Sequence, residues 1–170
     1  MPIILIVICS VVLILLLTGV YVFIVACVRT KELPWLEKEQ LEKTPYGKYY
    51  DGIVYADTWL KEHTTRDIYI ESYDGLKLYG RWIPAKDPKG TVLFAHGYRS
   101  TCLVDFSMVL DLYHDAGLNI LLPDQRAHGK SEGKIITFGV KESRDMLHWI
   151  RYHNETFGAC QMILSGLSMG

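Results

Sequence analysis

Gly166-Leu167-Ser168-Met169-Gly170 fits the pattern G-x-S-x-G. A serine set between glycines can occupy a sharp turn that lifts its hydroxyl toward a carbonyl carbon, while the small flanking residues leave room for neighbouring backbone. Alone the pattern is weak: with Gly and Ser each near 7% of residues, it arises by chance in about one chain of this length in twenty. Its setting strengthens it. It follows directly on residues 160–164, a short apolar run that reads as a strand buried on both faces, and the end of such a strand is where a nucleophilic serine of this kind belongs.

Two further motifs follow two further apolar runs. His96-Gly97-Tyr98 comes after residues 91–95, and Asp124-Gln125-Arg126-Ala127-His128-Gly129-Lys130-Ser131 comes after residues 118–122 and Pro123. If the three runs are parallel strands of one sheet, all three motifs lie on the same sheet edge. Backbone N–H groups at Tyr98 and Met169 are then candidate donors to a developing oxyanion, with Ser168 as the nucleophile. Gly166 and Gly170 would support the turn, and His96 and Gly97 the donor loop, with His96 read as a structural imidazole. Asp124, Arg126 and His128 read as an ion-paired loop framing the pocket, because one histidine and one carboxylate supply too few ligands for a metal. His63, His114, His148 and His153 are expected on solvated helix faces or ends.

The intervening segments supply the elements that must position these loops. Residues 67–71 and 76–83 alternate around Asp74-Gly75, which predicts an antiparallel hairpin. Leu103, Phe106, Val109, Leu110 and Tyr113 recur at helical spacing, with Ser100 or Thr101 as N-cap and Gly117 as the stop. A second amphipathic helix is expected over residues 139–154, with Val140, Leu147, Trp149 and Ile150 toward the core. Hairpin, strand, helix, strand, helix, strand describes a mixed sheet whose later strands are parallel.

All 18 Lys and Arg and all 19 Asp and Glu residues lie after residue 28. Residues 3–28 are uncharged and exceed the roughly 20 residues a helix needs to cross a bilayer, so residues 1–28 are expected to form a transmembrane anchor. A cleaved signal peptide would require a basic leading region and a shorter apolar stretch. Residues 24–27 loosely resemble a lipoprotein cleavage box ending at Cys27, again without the leading charge. Arg29, Lys31, Lys38, Lys43 and Lys48 follow the apolar stretch, which favours a single-pass protein with a cytoplasmic domain. Residues 29–65, charged and rich in tyrosine, read as a juxtamembrane spacer. A helix could start within it at Asp51, with Asp51 as N-cap. Residues 66–170 read as one globular domain. Net charge −1 with both signs interspersed argues against a nucleic-acid partner. Cys102 and Cys160 are too isolated for a disulfide framework or a zinc site.

Taken together, the D-G hairpin, H-G-Y, D-x-R-x-H-G-x-S and G-L-S-M-G resemble the α/β-hydrolase superfamily, particularly serine esterases, lipases and peptidase-like enzymes with an N-terminal membrane anchor. The resemblance covers residues 66–170 and implies an α/β-hydrolase fold, a mostly parallel sheet with flanking helices, preceded by one transmembrane helix. It further implies acyl-enzyme chemistry on Ser168 with an ester, thioester or amide, drawn from small acyl esters, lipids or peptides, and no cofactor. Many members carry R-G-H-G where this chain has Ala127. The family orders its triad Ser, then Asp or Glu, then His, and only Met169 and Gly170 follow Ser168 here. The triad partners are therefore expected beyond residue 170, and the 170-residue chain is expected to be catalytically incomplete. A tethered non-catalytic protein or remnant of a broken gene, and an acyltransferase or thioesterase on the same fold, are the alternatives.

Overall fold

The computed structural model describes residues 2–170. It begins with helix α1 (Pro2–Cys27), whose most apolar 18-residue window has a mean hydropathy of 3.3 and no buried residue. The 25 residues from Ile3 to Cys27 at about 1.5 Å each give about 38 Å, enough to cross about 30 Å of hydrocarbon. Length and apolar content alone also admit a signal sequence at an N-terminus.

After the short helix α2 (Lys38–Leu41) and helix α3 (Tyr50–Glu62) comes a five-stranded sheet. Its strands are β1 (Arg66–Glu71), β2 (Lys77–Ile83), β3 (Gly90–Ala95), β4 (Leu118–Pro123) and β5 (Met162–Gly166), in the spatial order β1-β2-β4-β3-β5. β1 and β2 form the antiparallel hairpin, with Gly75 in its turn at φ +82°. β2 runs antiparallel to β4, and β3 lies parallel to both β4 and β5.

Alternate residues of the central strands feed two different cores. Val92, Phe94, Ile120 and Leu122 pack with Trp59, Leu60, Phe106 and Leu110 on one face. Leu93 and Leu121 pack with Ile68, Leu78, Trp82 and Trp149 on the other. A strand buried on both faces is apolar throughout, which is why β3 and β4 read as continuous runs. This is the α/β-hydrolase fold, a mixed, mostly parallel sheet with helices on both faces.

Residues 29–65 pack onto the domain: Trp35, Leu41 and Ile53 form a buried cluster with Val104. Asp51 does not cap α3, whose N-cap is Tyr49; it lies in the first turn.

Several expectations about helix faces and burial are corrected. The helix expected over 103–113 is two short pieces, α4 (Cys102–Asp105) and α5 (Leu110–Asp115), separated by turns. Thr101 does cap the first, its side chain accepting a hydrogen bond from the Val104 N–H. The last helix, α6, spans Glu142–Phe157, and Val140 and Leu147 are exposed rather than in the core. Glu142 anchors the α6 start by accepting hydrogen bonds from the N–H groups of Thr137 and Gly139, which leaves Val140 in the preceding turn. His153 is buried, its Nε2 2.9 Å from the Thr91 hydroxyl, because Thr91 faces α6 at the start of β3. The residue 160–164 run is not buried on both faces. β5 pairs only with β3 among the described residues, which leaves Ile163 and Leu164 exposed.

Candidate active site

Ser168 follows β5 at φ +58°, a left-handed backbone conformation that a serine rarely adopts. The turn is closed by a hydrogen bond of 2.9 Å from the Gly170 N–H to the Leu167 carbonyl. It is tied to the end of β3 by a 3.1 Å bond from the Leu167 N–H to the Ala95 carbonyl. A Cβ on Gly166 would overlap the backbone of Gly170, and one on Gly170 would overlap the carbonyl of Ala95. Both positions thus exclude any side chain, and the G-x-S-x-G spacing acquires a steric reason.

The H-G-Y loop lies directly against this turn. A Cβ built on Gly97 would stand 3.2 Å from Ser168 Cβ and 3.2 Å from the Leu167 oxygen. The loop is held by Asp105 in α4, whose carboxylate accepts hydrogen bonds from the Gly97 N–H and the Ser100 hydroxyl, both at 2.6 Å. Asp105 carried no sequence signal beyond its place one turn into a helix. Among the described residues, the N–H groups of Tyr98 and Met169 donate no hydrogen bond. They are free to receive an acceptor from outside.

His96 is fully buried, and both ring nitrogens are engaged. Nε2 accepts from the Gln125 N–H at 3.0 Å, so Nδ1 carries the proton and donates to the Gly97 carbonyl at 2.9 Å. Burial pushes its pKa down to about 4. His128 repeats the arrangement: Nε2 accepts from the Arg99 N–H and Nδ1 donates to the Arg126 carbonyl. Burial lowers its pKa as well. Both imidazoles are neutral struts joining the 96–99 loop to the 124–131 loop, and no histidine bonds Ser168 among the described residues.

Arg126 is buried between two carboxylates. Its Nε and Nη2 donate to Asp145 at 2.6 and 2.7 Å, and Nη1 and Nη2 donate to Asp74 at 3.0 Å each. The Arg126 guanidinium holds the Asp74 carboxyl well below the usual carboxylate range. Asp124 accepts from the Lys130 N–H at 2.8 Å, and burial raises its pKa to about 6. Ala127 has φ +61°, a geometry in which glycine is unstrained and alanine is not. Non-glycine residues with positive φ are Arg99, Ala127, Phe138 and Ser168 among the described residues. Three lie on the strand-end loops, and Phe138 stacks on Tyr98 with ring centroids 5.3 Å apart. Backbone strain is concentrated at this one sheet edge, the pattern expected of a functional site.

Among the described residues no group of three or more His, Cys, Asp or Glu side chains could hold a metal ion.

The chain is similar to a solved esterase structure and, over shorter stretches, to two bacterial proteins. The esterase Pf2001 of Pyrococcus furiosus superimposes with a TM-score of 0.60 at 33% identity, over 64% of this chain and 44% of the esterase. The YqkD protein of Bacillus subtilis is 31% identical over 77 residues, 45% of this chain and 25% of its own length. A monoacylglycerol lipase of Mycolicibacterium smegmatis is 39% identical over 57 residues, 34% of this chain and 20% of the lipase. The chain thus spans less than half the length of each. No protein-family model matches it.

Proposed function

We propose that this chain carries the nucleophile and oxyanion hole of a membrane-anchored serine hydrolase that cleaves an ester, thioester or amide bond. The observation that carries the reading is the packing of the H-G-Y loop against Ser168, with Gly97 in contact and the N–H groups of Tyr98 and Met169 unengaged. The Ser168 Oγ attacks the acyl carbon as a base removes its proton. The carbonyl oxygen becomes an oxyanion that accepts from Tyr98 and Met169. Collapse of the intermediate expels the alcohol, thiol or amine with a proton, and water then releases the acid from the acyl-enzyme. The base and its orienting acid are not among the described residues. In the fold's chain order, Ser then Asp or Glu then His, both follow the nucleophile. Similarity to an esterase and to a monoacylglycerol lipase supports an acyl ester as the substrate class. Helix α1 is the anchor, and the basic residues after it favour a cytoplasmic domain.

The test is fluorophosphonate labelling of the protein in the membranes of its own cells. Covalent labelling that Ser168→Ala abolishes is expected, and a label that persists in Ser168→Ala rejects Ser168 as the nucleophile. The protein should also stay with membranes through alkaline carbonate. Recovery in the soluble fraction, or with a new N-terminus near Cys27, rejects the anchor.

A further inference from the structure

The end of α1 is bonded to the loop that carries the oxyanion donor. The Tyr98 hydroxyl donates to the Ala26 carbonyl at 2.8 Å, and the Arg99 guanidinium donates to the carbonyls of Val25 at 2.5 Å and Val28 at 3.3 Å. Val25 and Ala26 lie in the final turn, whose carbonyls a helix leaves without intrahelical partners, and Val28 directly follows it. On the other side, the Ile136 N–H donates to the Cys27 carbonyl at 2.7 Å and the Arg29 N–H to the Lys134 carbonyl at 2.9 Å. The Arg29 guanidinium adds bonds to the carbonyls of Gly129 and Ser131. No flexible linker separates helix from domain. The last apolar turn is clamped between the 96–99 loop and the residue 129–136 segment.

The placement fixes which surface of the domain meets the membrane. If α1 spans the bilayer, its final turn stands at the hydrocarbon boundary, and so do Tyr98 and Arg99. The same surface continues into Phe138, stacked on Tyr98 and 52% exposed, and Val140, 72% exposed. Two exposed apolar residues beside aromatic and basic side chains at a helix end match the composition of a membrane interface. Ser168 is one contact away, through Gly97.

We propose that the catalytic edge of the sheet lies in the bilayer interface, with Tyr98, Arg99, Phe138 and Val140 as its lipid-contacting rim, and that Ser168 acts on acyl esters dissolved in the membrane. The substrate part rests on the acyl-enzyme reading above; the placement part does not. Tyr98 and Arg99 act as positioning residues through their side chains, holding the donor loop to the anchor.

A fluorescent amino acid placed by codon suppression at residue 140, or at residue 87 in the loop before β3, reports depth in phosphatidylcholine vesicles. Residue 87 lies at the opposite end of β3, about 20 Å away across six residues. Lipids carrying a shallow doxyl group should quench residue 140 at least about threefold more strongly than residue 87. Equal quenching overturns the placement. The second measurement uses the membranes of the protein's own cells, where the base and acid that the acyl-enzyme reading requires are supplied, with the Ser168→Ala background subtracted. Val140→Glu should lower hydrolysis of a long-chain ester in vesicles at least about fivefold and leave that of a water-soluble short ester unchanged. An unchanged vesicle rate, or an equal fall in both, overturns the membrane-substrate claim. Absence of both activities in the parent overturns the acyl-enzyme reading and the substrate claim built on it, while the quenching result still decides the placement.

Discussion

Gly170 packs beneath the end of β3 so closely that a Cβ there would overlap the Ala95 carbonyl oxygen. The Ser168 turn is thereby registered against the strand that leads into the 96–99 loop. Gly170→Ala must push the two apart, and a displacement of about 1 Å at a reacting centre costs on the order of 100-fold in rate. Fluorophosphonate labelling of Ser168 in native membranes should fall by about that factor. Labelling at the parent rate would show that the turn adapts without moving the serine.

Arg126 should be the most costly single residue to remove from the loop network. Its side chain and that of Asp145 are 3% and 1% exposed, so losing Arg126 strands the buried Asp145 carboxylate, and losing Asp145 leaves the buried guanidinium with only the partly exposed Asp74 as partner. Arg126→Ala and Asp145→Ala are each expected to destabilise by about 3–5 kcal/mol, and the double variant by clearly less than the sum. Denaturant unfolding in detergent measures all three. Additive losses would mean that the two groups do not act as a pair.

His96 and Asp124 give opposite pH dependences over nearly the same range. The His96 pKa is about 4 folded against about 6.5 unfolded, so its contribution is fully present above pH 6.5 and is lost as pH falls toward 4, in all about 3 kcal/mol. The Asp124 pKa is about 6 folded against about 3.9 unfolded, so stability is gained as pH falls from 6 toward 4. Asp124→Asn should therefore expose a steeper loss of stability between pH 7 and pH 4.5 than the parent shows. His96→Gln should flatten or reverse it. Identical slopes in all three proteins would contradict the assignment.

The 170-residue chain, purified alone, should hydrolyse short acyl esters negligibly. Ser168 has no histidine bonded to it among the described residues, and both candidates near it, His96 and His128, have spent their acceptor nitrogens on backbone N–H groups. In a serine protease whose triad acts as a unit, losing that unit costs on the order of a million-fold. Turnover by the purified chain that Ser168→Ala abolishes would mean that a residue upstream of the serine serves as base.

The strands and the loops at their ends were legible in the sequence because their signals are local: β3 and β4, buried on both faces, are apolar at nearly every position, and Asp74-Gly75 marks a hairpin turn by itself. The steric basis of the G-x-S-x-G spacing was legible for the same reason. What periodicity could not supply was which side of a helix meets which neighbour. Leu147 falls on the apolar period of α6 yet is exposed, whereas His153, polar by type, is buried because β3 presents a hydroxyl to it. The clamp between α1 and Tyr98 joins groups 72 residues apart, and neither residue type announces it.

β5 carries the last expectation. It bonds to β3 along one side, and among the described residues its other side has no partner, while Ile163, Leu164 and Leu167 are 38%, 60% and 47% exposed. An apolar strand edge without a charge, proline or bulge is a template for pairing with another chain. The 170-residue polypeptide, solubilised in detergent so that α1 is covered, should therefore self-associate with rising concentration and unfold over a broad transition. Leu164→Lys places a charge on that edge and should shift the protein toward monomer, because pairing two such edges would bring like charges together. A charge added on a different exposed surface, Met108→Lys, controls for a general gain in solubility. Sedimentation velocity compares the three. A parent that sediments as a monomer with one sharp unfolding transition, or a Met108→Lys variant that does as well as Leu164→Lys, would show that β5 is not the sticky edge.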